Sequence, residues 1–132
     1  MSTVKVNTLT GVSTAGSISV TGEGNSTTTN LQQGLAKQWV RFSGTSMSVA
    51  DSFNTSSVTD NGTGDYSPVL TSSMSSENYS PLYTSSQYHE LMGNNGGTTG
   101  TLASGYKINI RNSSNSAADT GRVSTSVLGD LS

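Results

Sequence analysis

Few side chains in this sequence could do chemistry, and their spacing decides which kind. Asp60 and Asp65 flank the stretch Asp60-Asn61-Gly62-Thr63-Gly64-Asp65. Two carboxylates with backbone carbonyls could hold Ca²⁺, but the stretch lacks the Asp-x-Asp-x-Asp-Gly…Glu order of a calcium loop and reads as a polar hairpin turn. His89 is the single histidine and stands beside Glu90. A transition metal needs two histidines at fixed spacing or three around a symmetry axis, so no metal site is expected. A serine hydrolase needs His beside Ser with an orienting carboxylate, and no Gly-x-Ser-x-Gly elbow occurs. Without cysteine there is no thiol nucleophile, no thiolate zinc and no disulfide. The eight acidic residues are too scattered to suggest a glycosidase pair. No catalytic residue, cofactor or metal ligand is expected, and the chain does not read as an enzyme.

The aromatic residues are the better candidates for work. Tyr79, Tyr83 and Tyr88 cluster within residues 78–90. A tyrosine offers a flat face and a hydroxyl, which suits a sugar or a protein interface, so these three form a possible ligand surface. The same side chains could fill a thin core. Trp39, Phe42, Phe53, Tyr66, Ile108 and Ile110 are the expected core or subunit-interface residues, with Trp39 assigned to packing because it sits inside a strand pattern.

The elements that must position these residues read as strands. Apolar side chains alternate with polar ones at Val4/Val6, Ile18/Val20, Val40/Phe42, Met47/Val49, Tyr106/Ile108/Ile110 and Val123/Val127. That period of two belongs to half-buried antiparallel strands. Trp39 and Arg41 face away from Val40 and Phe42. Asn61-Gly62 predicts a hairpin, and Pro68 predicts that its second strand is an edge or carries a bulge. Loops are expected at 93–97 and 112–119. One helical turn, capped by Asn30, is the exception. The expected fold is all-β: seven or eight short strands in a small antiparallel sandwich or barrel-like domain.

Serine (26), threonine (19), glycine (15) and asparagine (11) make up more than half of the 132 residues. Large apolar side chains are scarce, so the chain gains by sharing a core between copies, and oligomerisation is expected. The net charge of −2 and the sparse charges argue against an electrostatic grip on nucleic acid. No apolar run approaches the length of about 18 residues needed to span a membrane as a helix, so no membrane insertion is expected. No signal peptide is visible at the start. Residues 21–30 contain no apolar side chain and read as a linker. The expected organisation is an N-terminal attachment segment at 1–20, a linker at 21–34 and a β-rich domain at 35–132. Val4, Val6, Leu9, Ile18 and Val20 would be the attachment residues, ordered by adding to a neighbour's sheet edge or by bundling with their copies.

From Leu35 onward the sequence resembles a domain of tail-fibre and other structural proteins of tailed phages, especially marine ones. Residues 36–45 (Ala-Lys-Gln-Trp-Val-Arg-Phe-Ser-Gly-Thr) and 51–66 (Asp-Ser-Phe-Asn-Thr-Ser-Ser-Val-Thr-Asp-Asn-Gly-Thr-Gly-Asp-Tyr) carry the resemblance. Met74, Asn78-Tyr79, the closing Val127-Leu128-Gly129-Asp130-Leu131 and the opening Ser2-Thr3-Val4-Lys5-Val6-Asn7-Thr8-Leu9-Thr10 add to it. It implies a homotrimeric virion component, made in the host cytoplasm, whose partners are other virion proteins of tail or capsid. A linker stands where longer fibres have a shaft. A short tail fibre or fibre-like tail component therefore fits, with a capsid decoration protein or a receptor-binding module for host surface glycans as alternatives.

Overall fold

The computed structural model describes residues 3–12, 18–22, 24, 27–87, 89–92 and 100–132, with the backbone alone at 89–92. Tyr88, the 93–97 loop and the side chain of His89 lie outside the described residues. The chain divides into two compact units, Met1–Leu35 and Ala36–Ser132.

In the first unit, β1 (Ser19–Thr21) and β2 (Thr28–Asn30) form an antiparallel hairpin, and α1 (Leu31–Gly34) follows. Part of the stretch expected as a linker is thus a strand: threonine suits extended backbone, and Ser19 pairs with Asn30. The Asn30 side chain accepts from the Gln33 N–H at 3.2 Å, the cap foreseen for a single turn. Residues 3–12 form no strand, and Val4, Val6, Leu9 and Val12 are exposed.

The second unit is all-β. Its strands are β3 (Ala36–Phe42), β4 (Val49–Phe53), β5 (Thr55–Gly62), β6 (Asp65–Leu70), β7 (Ser80–Ser85), β8 (His89–Met92), β9 (Thr101–Leu102), β10 (Gly105–Tyr106), β11 (Ile108–Arg111) and β12 (Val123–Leu128). One sheet has the order β4-β3-β12-β7. The other runs β8-β11-β6-β10-β9, with β5 also paired to β6. All described pairings are antiparallel.

There are more strands than expected because ladders are interrupted. Ile108 pairs with Tyr66 and Gly105 with Val69, so β10 and β11 pass β6 in one register. The break between them lies alongside Pro68, which has no N–H to offer the Tyr106 carbonyl opposite it; on the other side the Lys107 N–H continues the β9 pairing to the Gly100 carbonyl at 2.8 Å. Pro68 therefore sits in an interior strand, not at an edge. The register shifts of the β5/β6 hairpin fall at Thr55/Ser57 and Asp60/Gly62, away from it. Met47 is not in a strand: it takes φ 53° in the segment that leads into β4.

The two sheets share one core. Val40, Phe42, Val123 and Val127 come from the first sheet, and Tyr66, Leu70, Tyr106, Ile108 and Ile110 from the second, with Met74 beside them. The rings of Phe42 and Tyr66 meet edge to face between the sheets, centroids 5.3 Å apart at 75°. Asn54 turns the chain from one sheet to the other between β4 and β5. It adopts φ 51°, which asparagine tolerates, donates to the Lys37 and Ser72 carbonyls and accepts from the Ser72 N–H.

Polar groups inside this core form a connected chain. The Tyr106 hydroxyl donates to Gln38 Oε1 at 2.9 Å and shares a 2.5 Å bond with the Thr125 hydroxyl. Gln38 Nε2 donates to Thr55 Oγ1 at 2.8 Å, and the Thr55 hydroxyl in turn lies 3.3 Å from the Trp39 and Phe53 carbonyls. Among the described residues no buried side-chain nitrogen or oxygen lacks a partner. At another corner, Asp119 Oδ1 accepts from the Tyr66 hydroxyl at 2.6 Å and the Gly64 N–H at 2.7 Å. Gly64 has φ +67°, and a Cβ there would lie 2.5 Å from the Ile110 carbonyl oxygen, so glycine is required.

Burial raises the pKa of three tyrosines. Tyr66 is raised by burial and further by the Asp119 carboxylate, and Tyr106 by burial against the opposing effect of its Thr125 and Gln38 bonds. Tyr79 is pushed up to about 12 by burial. A raised pKa in the folded state means that stability is complete below the ordinary value of 10.0 and declines as pH climbs through the folded values. The fold is therefore expected to hold at neutral pH and to lose stability above pH 10, with tyrosinate absorbance rising together with unfolding. Tyrosinate appearing in full near the ordinary value while circular dichroism stays native would contradict this.

Candidate interaction surface

The first sheet turns one face to the core and leaves the other bare. Strand alternation decides which side chains stand on it. On β3, Gln38, Val40 and Phe42 point inward, so Trp39 and Arg41 point out. Pairing then sets their neighbours. Trp39 lies opposite Phe53 and Arg41 opposite Asp51 on β4. On the other side Trp39 lies opposite Ser126 and Arg41 opposite Ser124 on β12. Ser126 faces Leu82, and Ser124 faces Thr84, on β7.

Two rows result, each crossing four strands. One is Phe53, Trp39, Ser126 and Leu82; the next is Asp51, Arg41, Ser124 and Thr84. Phe53 is 52% exposed, Trp39 37% and Leu82 55%, although they are among the largest apolar side chains of the unit. A shallow depression of about 340 Å³ lies over β7 and β12, lined by Leu82, Thr84, Ser124 and Ser126 among others. Directly opposed aromatic residues on one face support each other by about 0.2–1 kcal/mol. They still leave apolar area in water at roughly 25 cal/mol per Å².

The polar row carries unused charge. Asp51 Oδ1 accepts from the N–H of Ser52 at 2.8 Å. Lys107 pairs with Asp65 at 3.7 Å, whereas Arg41 and Asp51, although register partners, form no ion pair with each other. Both are exposed.

Phe42, Tyr66, Ile108 and Ile110 lie in the core as expected. Trp39 and Phe53 do not: they stand on the outer face of the first sheet. Of the tyrosine cluster, Tyr79 and Tyr83 turn inward, and Tyr88 lies outside the described residues. The Tyr79 hydroxyl donates inward to the Leu102 and Gly105 carbonyls at 2.8 and 2.6 Å, and Tyr83 packs against the core opposite Thr125. Alternation explains this, because Tyr83 occupies the inward positions of β7 while Leu82 and Thr84 take the outward ones. Val4, Val6 and Leu9 of the attachment set are exposed, Val20 is 51% exposed on β1, and Ile18 precedes that strand half-buried. Asp60 and Asp65 work in their hairpin: Asp60 accepts from the Gly62 N–H at 2.9 Å, and Asp65 pairs with Lys107. Sequence reasoning missed Arg41, Asp51 and Leu82 as surface residues. The alternation around Trp39 was the available signal for Arg41, but the β4 and β7 residues needed the register.

The fold defines an all-β protein with an exposed, partly apolar sheet face. The chain matches no family model, no curated protein and no solved structure.

Replacing Trp39 or Phe53 by Ser is expected to change unfolding free energy by only about 1 kcal/mol or less while reducing assembly. Replacing core Ile108 by Ala should cost about 2–5 kcal/mol. Denaturant midpoints measured beside sedimentation profiles separate the two effects, and a large stability loss in Phe53→Ser would assign that residue to the core after all.

Proposed function

We propose that this chain is a structural component of a phage virion, a short tail fibre or fibre-like tail part with an assembly role and no catalysis. Residues 1–20 attach it to other virion proteins, and the β unit is displayed. The observation that carries this reading is the division of labour between the units. Ala36–Ser132 contains its own core, so it needs nothing from the first unit to fold. The first unit instead holds Val4, Val6, Leu9, Val12 and Val20 in exposed positions. Exposed strand-forming side chains with open backbone groups are completed by a neighbouring sheet edge, as in strand-addition contacts. The resemblance of both the opening and the β-unit sequence to phage structural proteins supports the same assignment.

Deleting residues 2–20 is expected to leave a β unit with native circular dichroism and an unchanged denaturant midpoint that no longer joins the particle. In the free protein the segment should be cut by proteases, and on purified particles it should be protected. Incorporation of the truncated protein at normal copy number would refute the reading.

A further inference from the structure

We propose that the β3–β4 part of the outer face of the β4-β3-β12-β7 sheet is a self-pairing surface whose occupant is the same patch of a second copy of this chain. The argument is the arrangement of Trp39, Phe53, Arg41 and Asp51. They form a two-by-two patch on adjacent strands: an aromatic pair in one row and a charge pair in the next. A two-fold axis lying in the interface, parallel to the strands and midway between β3 and β4, exchanges the two strands of the patch without exchanging its rows. Each Trp39 then meets the partner copy's Phe53, and each Arg41 meets its Asp51. Apolar faces apolar and plus faces minus, twice over, as an interface of identical halves requires.

The charges point to this occupant. Arg41 and Asp51 are exposed register neighbours that form no ion pair with each other. A partner presenting the opposite order of charges satisfies both at once, and the copy related by this axis presents that order. An interface with aromatic residues beside an Arg has the composition of binding hot spots.

The patch also sets the strength. This axis lays β3 and β4 of one copy over β4 and β3 of the other and leaves β12 and β7 overhanging, so the overlap is two strands wide, roughly 10 by 20 Å per copy. Contact over that overlap buries on the order of 400 Å² in total, below the size of stable interfaces, so the pairing is weak and reversible. Copies held close together on a particle gain from effective concentration and pair there more fully than in dilute solution. The proposal rests on the assembly reading above only in taking another copy as the partner. It gives two-fold pairing in place of the three-copy assembly that the resemblance implies.

The test is charge exchange in the full chain, followed by sedimentation over concentrations from about 1 µM to about 1 mM. Trp39 is the single tryptophan, so its emission reports this face directly. The wild type is expected to pass from monomer to dimer as its emission moves to shorter wavelength. Arg41→Asp alone and Asp51→Arg alone should each weaken pairing roughly tenfold or more, because like charges then meet twice. An equimolar mixture of the two variants should pair again, since one copy then carries two acids where the other carries two arginines. Native thermal unfolding of both variants confirms that each is folded. A wild type that stays monomeric at the highest concentration, a three-copy mass, or a mixture that pairs no better than its components overturns the proposal. If pairing follows the charges but the deletion of residues 2–20 still joins the particle, the virion reading fails and the paired face stands. A monomeric chain whose deletion no longer joins the particle gives the reverse.

Discussion

The hydroxyl of Tyr106 joins the two sheets of the β unit at their centre. It comes from β10 in one sheet and bonds Gln38 and Thr125 on β3 and β12 of the other, and Gln38 passes the chain on to Thr55 at the start of β5. A sequence in which serine, threonine, glycine and asparagine exceed half the residues cannot fill a core with hydrocarbon alone. It must bury polar side chains, and a buried polar group without a partner costs about 1–3 kcal/mol. The Tyr106 chain meets that constraint: each member is the partner of the next. Because the bonds cross between sheets, they also fix how β10 sits over β3 and β12, which the non-directional apolar contacts around them do not.

Closure of the core on these terms determines what is left outside. Val40, Phe42, Val123 and Val127 take the inward positions of β3 and β12, so the period of two forces Trp39, Arg41, Ser124 and Ser126 outward. On that side serine on β12 stands between the larger groups of β3 and β7. Trp39, Phe53 and Leu82 are therefore left exposed on that face, beside Arg41 and Asp51.

The corners show how little freedom the small core leaves. Gly64 holds φ +67° under the Ile110 carbonyl and gives its N–H to Asp119, which also accepts from Tyr66. Asn54 bends the chain from one sheet to the other while three side-chain hydrogen bonds hold it to residues 37 and 72. In both places one side chain ties segments far apart in sequence, substituting specific hydrogen bonds for the apolar packing that the composition does not supply.

The all-β class, the Asn30-capped turn, a hairpin within residues 60–65 (its turn is Thr63-Gly64, with Asn61 and Gly62 in β5) and the burial of Phe42, Tyr66, Ile108 and Ile110 were legible in the sequence. Each follows from local rules: alternation of period two, turn chemistry and capping act over a few residues. Pro68 was read correctly as a missing donor and wrongly as an edge, because only the assembled sheet has a break in the neighbouring strand alongside it. Alternation separated Trp39 and Arg41 from Val40 and Phe42, yet not which side the core would take. Tertiary structure alone decided that, and alone brought Phe53, Asp51 and Leu82 beside them. Register between strands depends on the whole core and on corners such as Asn54, so residues 39 and 53 become neighbours only when both sheets are in place.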